Sequence, residues 1–134
     1  MTDAQIRKSI YLAASPDTVW AFLTEADKLA TWFHPAKADL VAGAPYALLA
    51  DDGSEICWGE VLEMAKPQRM KWTFTVKPLA GVVTTVEWEI EAVAGGTSLS
   101  LTHTGLDATE AGFGLLTALD NGWDEHFGKL RKAA

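Results

Sequence analysis

Three groups of residues in this chain have types and spacing suited to chemistry. His103 closes the run Leu99–His103, in which Leu99, Leu101 and His103 share one parity and Ser100 and Thr102 the other. Strand parity therefore points its imidazole inward. Such a histidine is either a neutral ring satisfied by a backbone or hydroxyl group, or a polar anchor for a ligand. Acid–base duty would need a partner carboxylate or nucleophile, and no spacing here fixes one. Glu60 and Glu63 are three apart in another expected strand, so they face opposite sides unless a bulge intervenes. Pairing Met64 with Met70 makes Glu60 the inward carboxylate, facing Phe74, whereas a register with Val61 inward selects Glu63. Cys57 is the one cysteine, which excludes an intrachain disulfide and reads first as a small buried hydrophobe.

No metal site is expected. His34, His103 and His126 are far apart in sequence, and Asp124-Glu125-His126 on a helix spreads its side chains around the axis. Gly95-Gly96 joins two strands rather than a strand and a helix, so it is not a phosphate loop. No cofactor is implied.

The elements that position these residues are strands with clean alternation. Met70, Trp72, Phe74 and Val76 share one parity, as do Val86, Trp88 and Ile90, while Glu87, Glu89 and Glu91 take the other. Half-buried antiparallel sheet follows. Taking Gly95-Gly96 as a two-residue hairpin loop pairs Ala94 with Thr97, Ile90 with Leu101 and Trp88 with His103. Across the Pro78–Gly81 loop, Trp72 meets Trp88 or Val86, and Arg69 and Lys71 face the glutamate row on the solvated side. The inner face then carries a band of Trp72, Trp88 and His103, either a core or the floor of a pocket.

Before this region, Gln5–Ala13 reads as a strand, and Ser15-Pro16 as an N-cap with proline at the first helical position. Val19, Trp20 and Leu23 give the first short helix its stripe. Thr24 with Asp27 resembles a second cap, opening a helix with Leu29, Trp32 and Phe33 on one side. Strands are expected at 37–41, 45–50 and 56–64. Asp107 to Glu110 has capping-box spacing, and Leu116, Leu119, Trp123, Phe127 and Leu130 recur at intervals of 3, 4, 4 and 3. A helix over 109–131 would be about 34 Å long. Gly112, Gly114 and Gly122 weaken it and mark a frayed first turn and places of close packing or local flexibility.

With 134 residues the chain fits a single domain spanning 1–134. A net charge of −7 argues against nucleic acid or an anionic membrane as partner. No apolar run reaches the length of a membrane span, and the N-terminus lacks a signal peptide's regions, so a cytoplasmic location is expected. The predicted fold is α+β: a seven-stranded antiparallel sheet curved around a long C-terminal helix, with two short helices after the first strand.

This order of elements resembles the helix-grip fold of the START-like (SRPBCC) superfamily. Within it, the chain is similar to bacterial homologues of the activator of the 90-kDa heat-shock protein's ATPase. The resemblance rests on Ser15-Pro16-Asp17-Thr18-Val19-Trp20, Trp32-Phe33 with Pro35, and Gly59-Glu60-Val61-Leu62-Glu63. Gly95-Gly96-Thr97-Ser98-Leu99, Leu101-Thr102-His103 and Gly122-Trp123 extend it to about residue 131. It implies a cavity between sheet and long helix that accepts apolar small molecules. The eukaryotic activators add an N-terminal chaperone-binding domain for which this length leaves no room, so the resemblance implies a fold rather than a chaperone role.

The expected function is binding of an apolar or aromatic small molecule in that cavity. Met70, Trp72, Phe74, Trp88, His103 and Glu60 would line its sheet side; Phe113, Leu116, Leu119 and Trp123 would form the helix wall, and Trp32 with Phe33 one end. A cyclase- or hydrolase-type enzyme using the same cavity is the alternative, and a protein-interaction or stress-related co-chaperone-like module the second. The expected state is a monomer or weak homodimer.

Overall fold

The computed structural model describes residues 3–79 and 81–134; residue 80, inside the loop expected at Pro78–Gly81, lies outside the described residues. The chain runs β1 (Asp3–Leu12), α1 (Pro16–Thr24), α2 (Ala26–Trp32), β2 (Pro45–Leu49), β3 (Glu55–Ala65) and β4 (Arg69–Val76). A 3-10 turn at Lys77–Leu79 leads to β5 (Thr84–Val93), β6 (Gly96–Asp107) and α3 (Phe113–Ala133). Six strands form one antiparallel sheet ordered β1-β6-β5-β4-β3-β2.

The seventh strand expected at 37–41 does not form among the described residues. A single bridge, Ala36 to Leu48, remains there. The segment spends its polar groups on tying the helices down: Leu40 N–H donates to Thr24 O at 2.8 Å, and Asp39 Oδ1 accepts from Ala26 N–H at 2.8 Å. Asp39 thereby satisfies the first turn of α2. The cap expected from Thr24 and Asp27 is absent because the Thr24 hydroxyl donates back to Trp20 O. Ser15 does cap α1, accepting from Thr18 N–H at 3.2 Å, with Pro16 at the first helical position.

Alternation in β4–β6 holds, with a different register at the hairpin. Val93 pairs with Gly96, Ile90 with Leu99, Trp88 with Leu101 and Val86 with His103, leaving Ala94-Gly95 as the loop. The expected register was two residues off, and a two-residue shift keeps every side chain on its face. Gly96 belongs in the ladder because it lies directly against the Leu12 carbonyl, where a Cβ would collide. Trp72 pairs with Val86, and Arg69 and Lys71 stand opposite Glu89 and Glu87 on the outer face.

Two bulges decide which residues enter the interior. Between Val61 and Glu63 the β3–β4 register slips, so Val61 faces Trp72 while Met64 faces Met70. Both glutamates are then turned to solvent. Near the end of β6, Gly105 at φ 83° interrupts the alternation, and His103 and Leu106, three apart, are both buried.

α3 starts at Phe113, about a turn later than the spacing predicts. Asp107 Oδ1 accepts from Thr109 N–H in a local turn instead of capping a helix, and Gly112 occupies the cap position. The helix buries Trp123, Phe127 and Leu130 against the sheet. Trp88 is the hub of that layer: it meets Trp32 edge-on at 6.2 Å, Trp123 edge-on at 5.7 Å and Phe127 at 6.1 Å.

Candidate functional site

The expected pocket floor is core. Met70, Trp72, Trp88 and His103 have no exposed surface, and Trp32 almost none. Trp72 packs between Tyr46, 5.3 Å away, and Trp88, 5.5 Å away. The indole N–H groups of Trp72 and Trp88 are buried without a hydrogen-bond partner. Large aromatic side chains from β4, β5, α2 and α3 fill the space that a ligand would have taken in this band.

His103 is fully satisfied within that core. Thr84 Oγ1 donates its proton to Phe74 O at 2.6 Å, so the 2.8 Å contact between Thr84 Oγ1 and His103 Nε2 has the ring as donor. Nδ1 is then the acceptor, and it takes the Trp123 Nε1–H at 3.1 Å. Both ring nitrogens are committed and the ring is neutral. Burial holds its pKa down at about 4. The ligand-anchor expectation for His103 gives way to a structural one.

Glu60 and Glu63 also leave the site, since the β3 bulge exposes both, and Glu63 pairs with Arg69 at 3.4 Å on the surface. Phe113, expected in the helix wall, is 53% exposed in the first turn of α3. Leu116 packs half-buried further along, beside a separate apolar groove with Leu79 and Val82.

Four of the expected residues, Phe33 among them, do converge on a space. Phe74 from β4 and Leu119 and Trp123 from α3 line a cavity of about 230 Å³ between the sheet and the helix. Ile56, Cys57 and Val76 complete its sheet side, Ala118 and Gly122 its helix side, and Phe33 and His34, just past α2, close one end with His126. A Cβ at Gly122 would meet nothing within 4 Å. Of the close packing or local flexibility expected, this glycine shows no close packing and marks open space, at a helix position where alanine is more stable by up to about 1 kcal/mol. A larger depression of about 770 Å³ lies on the outer sheet face, but Arg69, Glu89, Glu91, Ser98 and Ser100 make it a polar surface groove.

The polar groups of the inner cavity are His34, His126 and Cys57. His126 Nδ1 lies 3.3 Å from Trp32 O; a carbonyl can only accept, so Nδ1 carries the proton. The His126 ring stands edge-on to Phe33 at 4.7 Å and to His34 at 5.2 Å. Burial first, then the neighbouring His34, and last Lys129 hold the His126 pKa down at about 4, against the opposing effect of the bond to Trp32. Burial and then Lys129 lower His34 as well. The Cys57 thiol is pushed up to about 12 by burial, and its sulfur lies 3.9 Å from the Tyr46 hydroxyl, so it is neither a thiolate nucleophile nor a ready metal ligand. Among the described residues no three His, Cys, Asp or Glu side chains converge as a metal site.

Sequence reasoning weighed His34 and His126 only as metal ligands. Their meeting depends on how the end of α2 docks on α3, which no local pattern encodes. The one available signal was Trp32-Phe33, expected to close an end of the cavity.

Comparison with known proteins settles the family. Residues 13–134 match the family described as Activator of Hsp90 ATPase homolog 1-like protein. The chain belongs to that family. MLL2253 from Mesorhizobium loti has the same fold, with a TM-score of 0.85 at 18% identity over 97% of this chain and 96% of that one. The Aha1 dimer from Colwellia psychrerythraea superposes with a TM-score of 0.80 at 20% identity, covering 97% and 95% of the two chains. DynU16, from the dynemicin biosynthetic locus, gives 0.79 at 22% identity over 96% of this chain and 46% of its own. Identities this low establish the shared fold, which agrees with the START-like superfamily. No curated protein matches the chain. No helix among the described residues is long and apolar enough to cross a membrane.

Proposed function

We propose that this family member binds a small apolar or aromatic molecule in the cavity between β3–β4 and α3. The observation that carries this reading is the open space beside Gly122, walled by Phe33, Phe74, Leu119 and Trp123 next to the filled tryptophan core. About 230 Å³ is below the roughly 300–1,000 Å³ of sites for drug-sized ligands. It exceeds the roughly 150 Å³ apolar cavity that accepts benzene. The ligand is therefore of single-ring size. That DynU16 comes from a biosynthetic locus supports a small-molecule role for this fold. Colwellia Aha1 is a dimer, which favours the homodimer among the expected states.

Binding is favoured over turnover. A histidine with a pKa near 4 is a weak base at neutral pH, and the one cysteine is held as a thiol. The test is titration of toluene into 15N-labelled protein, followed at the amides and indoles around Phe74 and Trp123. Saturable shifts there, abolished by Gly122→Leu with the circular dichroism unchanged, are expected. Absence of shifts from toluene and other single-ring aromatics would overturn the reading.

A further inference from the structure

We infer that the molecule held in this cavity is a single-ring phenol, or an equivalent ring bearing one hydroxyl, that donates its proton to Nε2 of His126. The inference rests on the binding reading above and assigns that site its ligand class.

The tautomer is the starting point. A neutral imidazole carries one proton, and in His126 that proton sits on Nδ1, donated to Trp32 O. Nε2 is left with a lone pair and can only accept. No hydrogen bond reaches it among the described residues. A carbonyl-fixed imidazole with its second nitrogen free is the arrangement by which proteins present a defined acceptor.

The surroundings then select the donor. Ile56, Phe74, Val76, Ala118, Leu119 and Trp123 supply apolar and aromatic wall, so the body of the ligand is apolar. A carboxylate would meet the lone pair of Nε2 with another acceptor and would lose its hydration in an apolar space. An ammonium would donate, but it too would lose its hydration there. A neutral O–H group satisfies Nε2 without burying charge. Phe33 and Trp123, both in the cavity wall, suit an aromatic ring beside it.

Calorimetric titrations with p-cresol, toluene and 4-methylbenzoate, which share one ring and one methyl, separate the possibilities. p-Cresol should bind about five- to tenfold tighter than toluene, the net gain of one hydrogen bond to Nε2 in place of its contact with water. His126→Phe should erase that preference while leaving toluene affinity in place. If that variant fails to fold, the Nε2 15N resonance of the wild-type protein serves instead, moving upfield as its lone pair accepts p-cresol's proton but not with toluene. Equal affinity for p-cresol and toluene, or a preference that survives His126→Phe, overturns the hydroxyl assignment while binding itself stands. Tightest binding of 4-methylbenzoate overturns it in favour of an anion site. Failure of all three to bind overturns the cavity reading and this inference with it.

Discussion

Trp123 Nε1 donates to His103 Nδ1 across 3.1 Å, joining the middle of α3 to β6 inside the core. Through Thr84, the same ring is tied to the Phe74 carbonyl, so one polar chain crosses from the helix through β6 and β5 to β4. Phe74 and Trp123 are also cavity walls. The polar chain that fixes the core therefore fixes the width of the cavity.

Trp123→Phe should accordingly destabilise the protein more than Trp88→Phe, although both remove the same atoms. Trp88's indole N–H has no partner to lose, whereas Trp123→Phe leaves His103 Nδ1 buried and unsatisfied. The excess should be about 1–3 kcal/mol. Urea denaturation of the two variants measures it, and equal losses would show that the Trp123–His103 bond contributes nothing net.

Much of the fold was legible because β4, β5 and β6 alternate cleanly and α3 carries a continuous stripe. Parity alone places Trp72, Trp88 and His103 on one inner face, where all three are buried. What parity could not see were the places where it breaks. The β3 bulge after Val61 turns both glutamates outward, and Asp39 caps α2 from a loop thirteen positions along. Whether inward residues leave a space is a question of summed volume, and five of the six tryptophans, all but the exposed Trp58, fill most of it. The meeting of His34 and His126 is not legible in the sequence because they sit on different elements, with no spacing to relate them.

Two glycines should respond to alanine with opposite signs. At Gly59 a Cβ would collide with the backbone oxygen and hydroxyl of Thr73. Those atoms already accept from the Tyr46 hydroxyl at 2.7 Å and from Glu60 N–H at 2.8 Å, so they cannot yield cheaply. Gly59→Ala should cost about 1–3 kcal/mol through overpacking. Gly122→Ala enters open space and should gain up to about 1 kcal/mol from helix propensity. Shifts of the urea midpoint in opposite directions, with unchanged slopes, are the expected result.

Lys8 links β1 to α3, its Nζ lying 2.8 Å from Asp120 and 3.1 Å from Asp124. Hydrogen bonding to Asp120 chiefly raises its pKa. Both carboxylates are more than half exposed, so water and salt screen the cluster. Lys8→Met should cost less than about 1 kcal/mol at low ionic strength. The difference should vanish near 1 M salt, where the Debye length is about 3 Å. A larger loss that persists in high salt would instead mean that the lysine's packing on α3 matters more than its charge.

Acid should weaken the protein well before its carboxylates titrate. His103 has a folded pKa of about 4 against an ordinary 6.5, because burial disfavours the imidazolium. Between those values the unfolded chain binds the proton and the folded one does not, so stability rises with pH across that window. Above about pH 6.5 the group costs nothing. As pH falls to about 4, stability should drop by about 3 kcal/mol from this residue alone, at 1.36 kcal/mol per pKa unit. His34 and His126, also lowered chiefly by burial, act in the same direction. Below the folded pKa, protonation of Nδ1 removes the acceptor for Trp123, so α3 should loosen first. Urea titrations from pH 7 to 4, together with the Trp123 indole proton resonance, test this. Stability that stays flat to pH 4.5 would mean that His103 can take up a proton inside the core and that its two bonds do not hold it neutral.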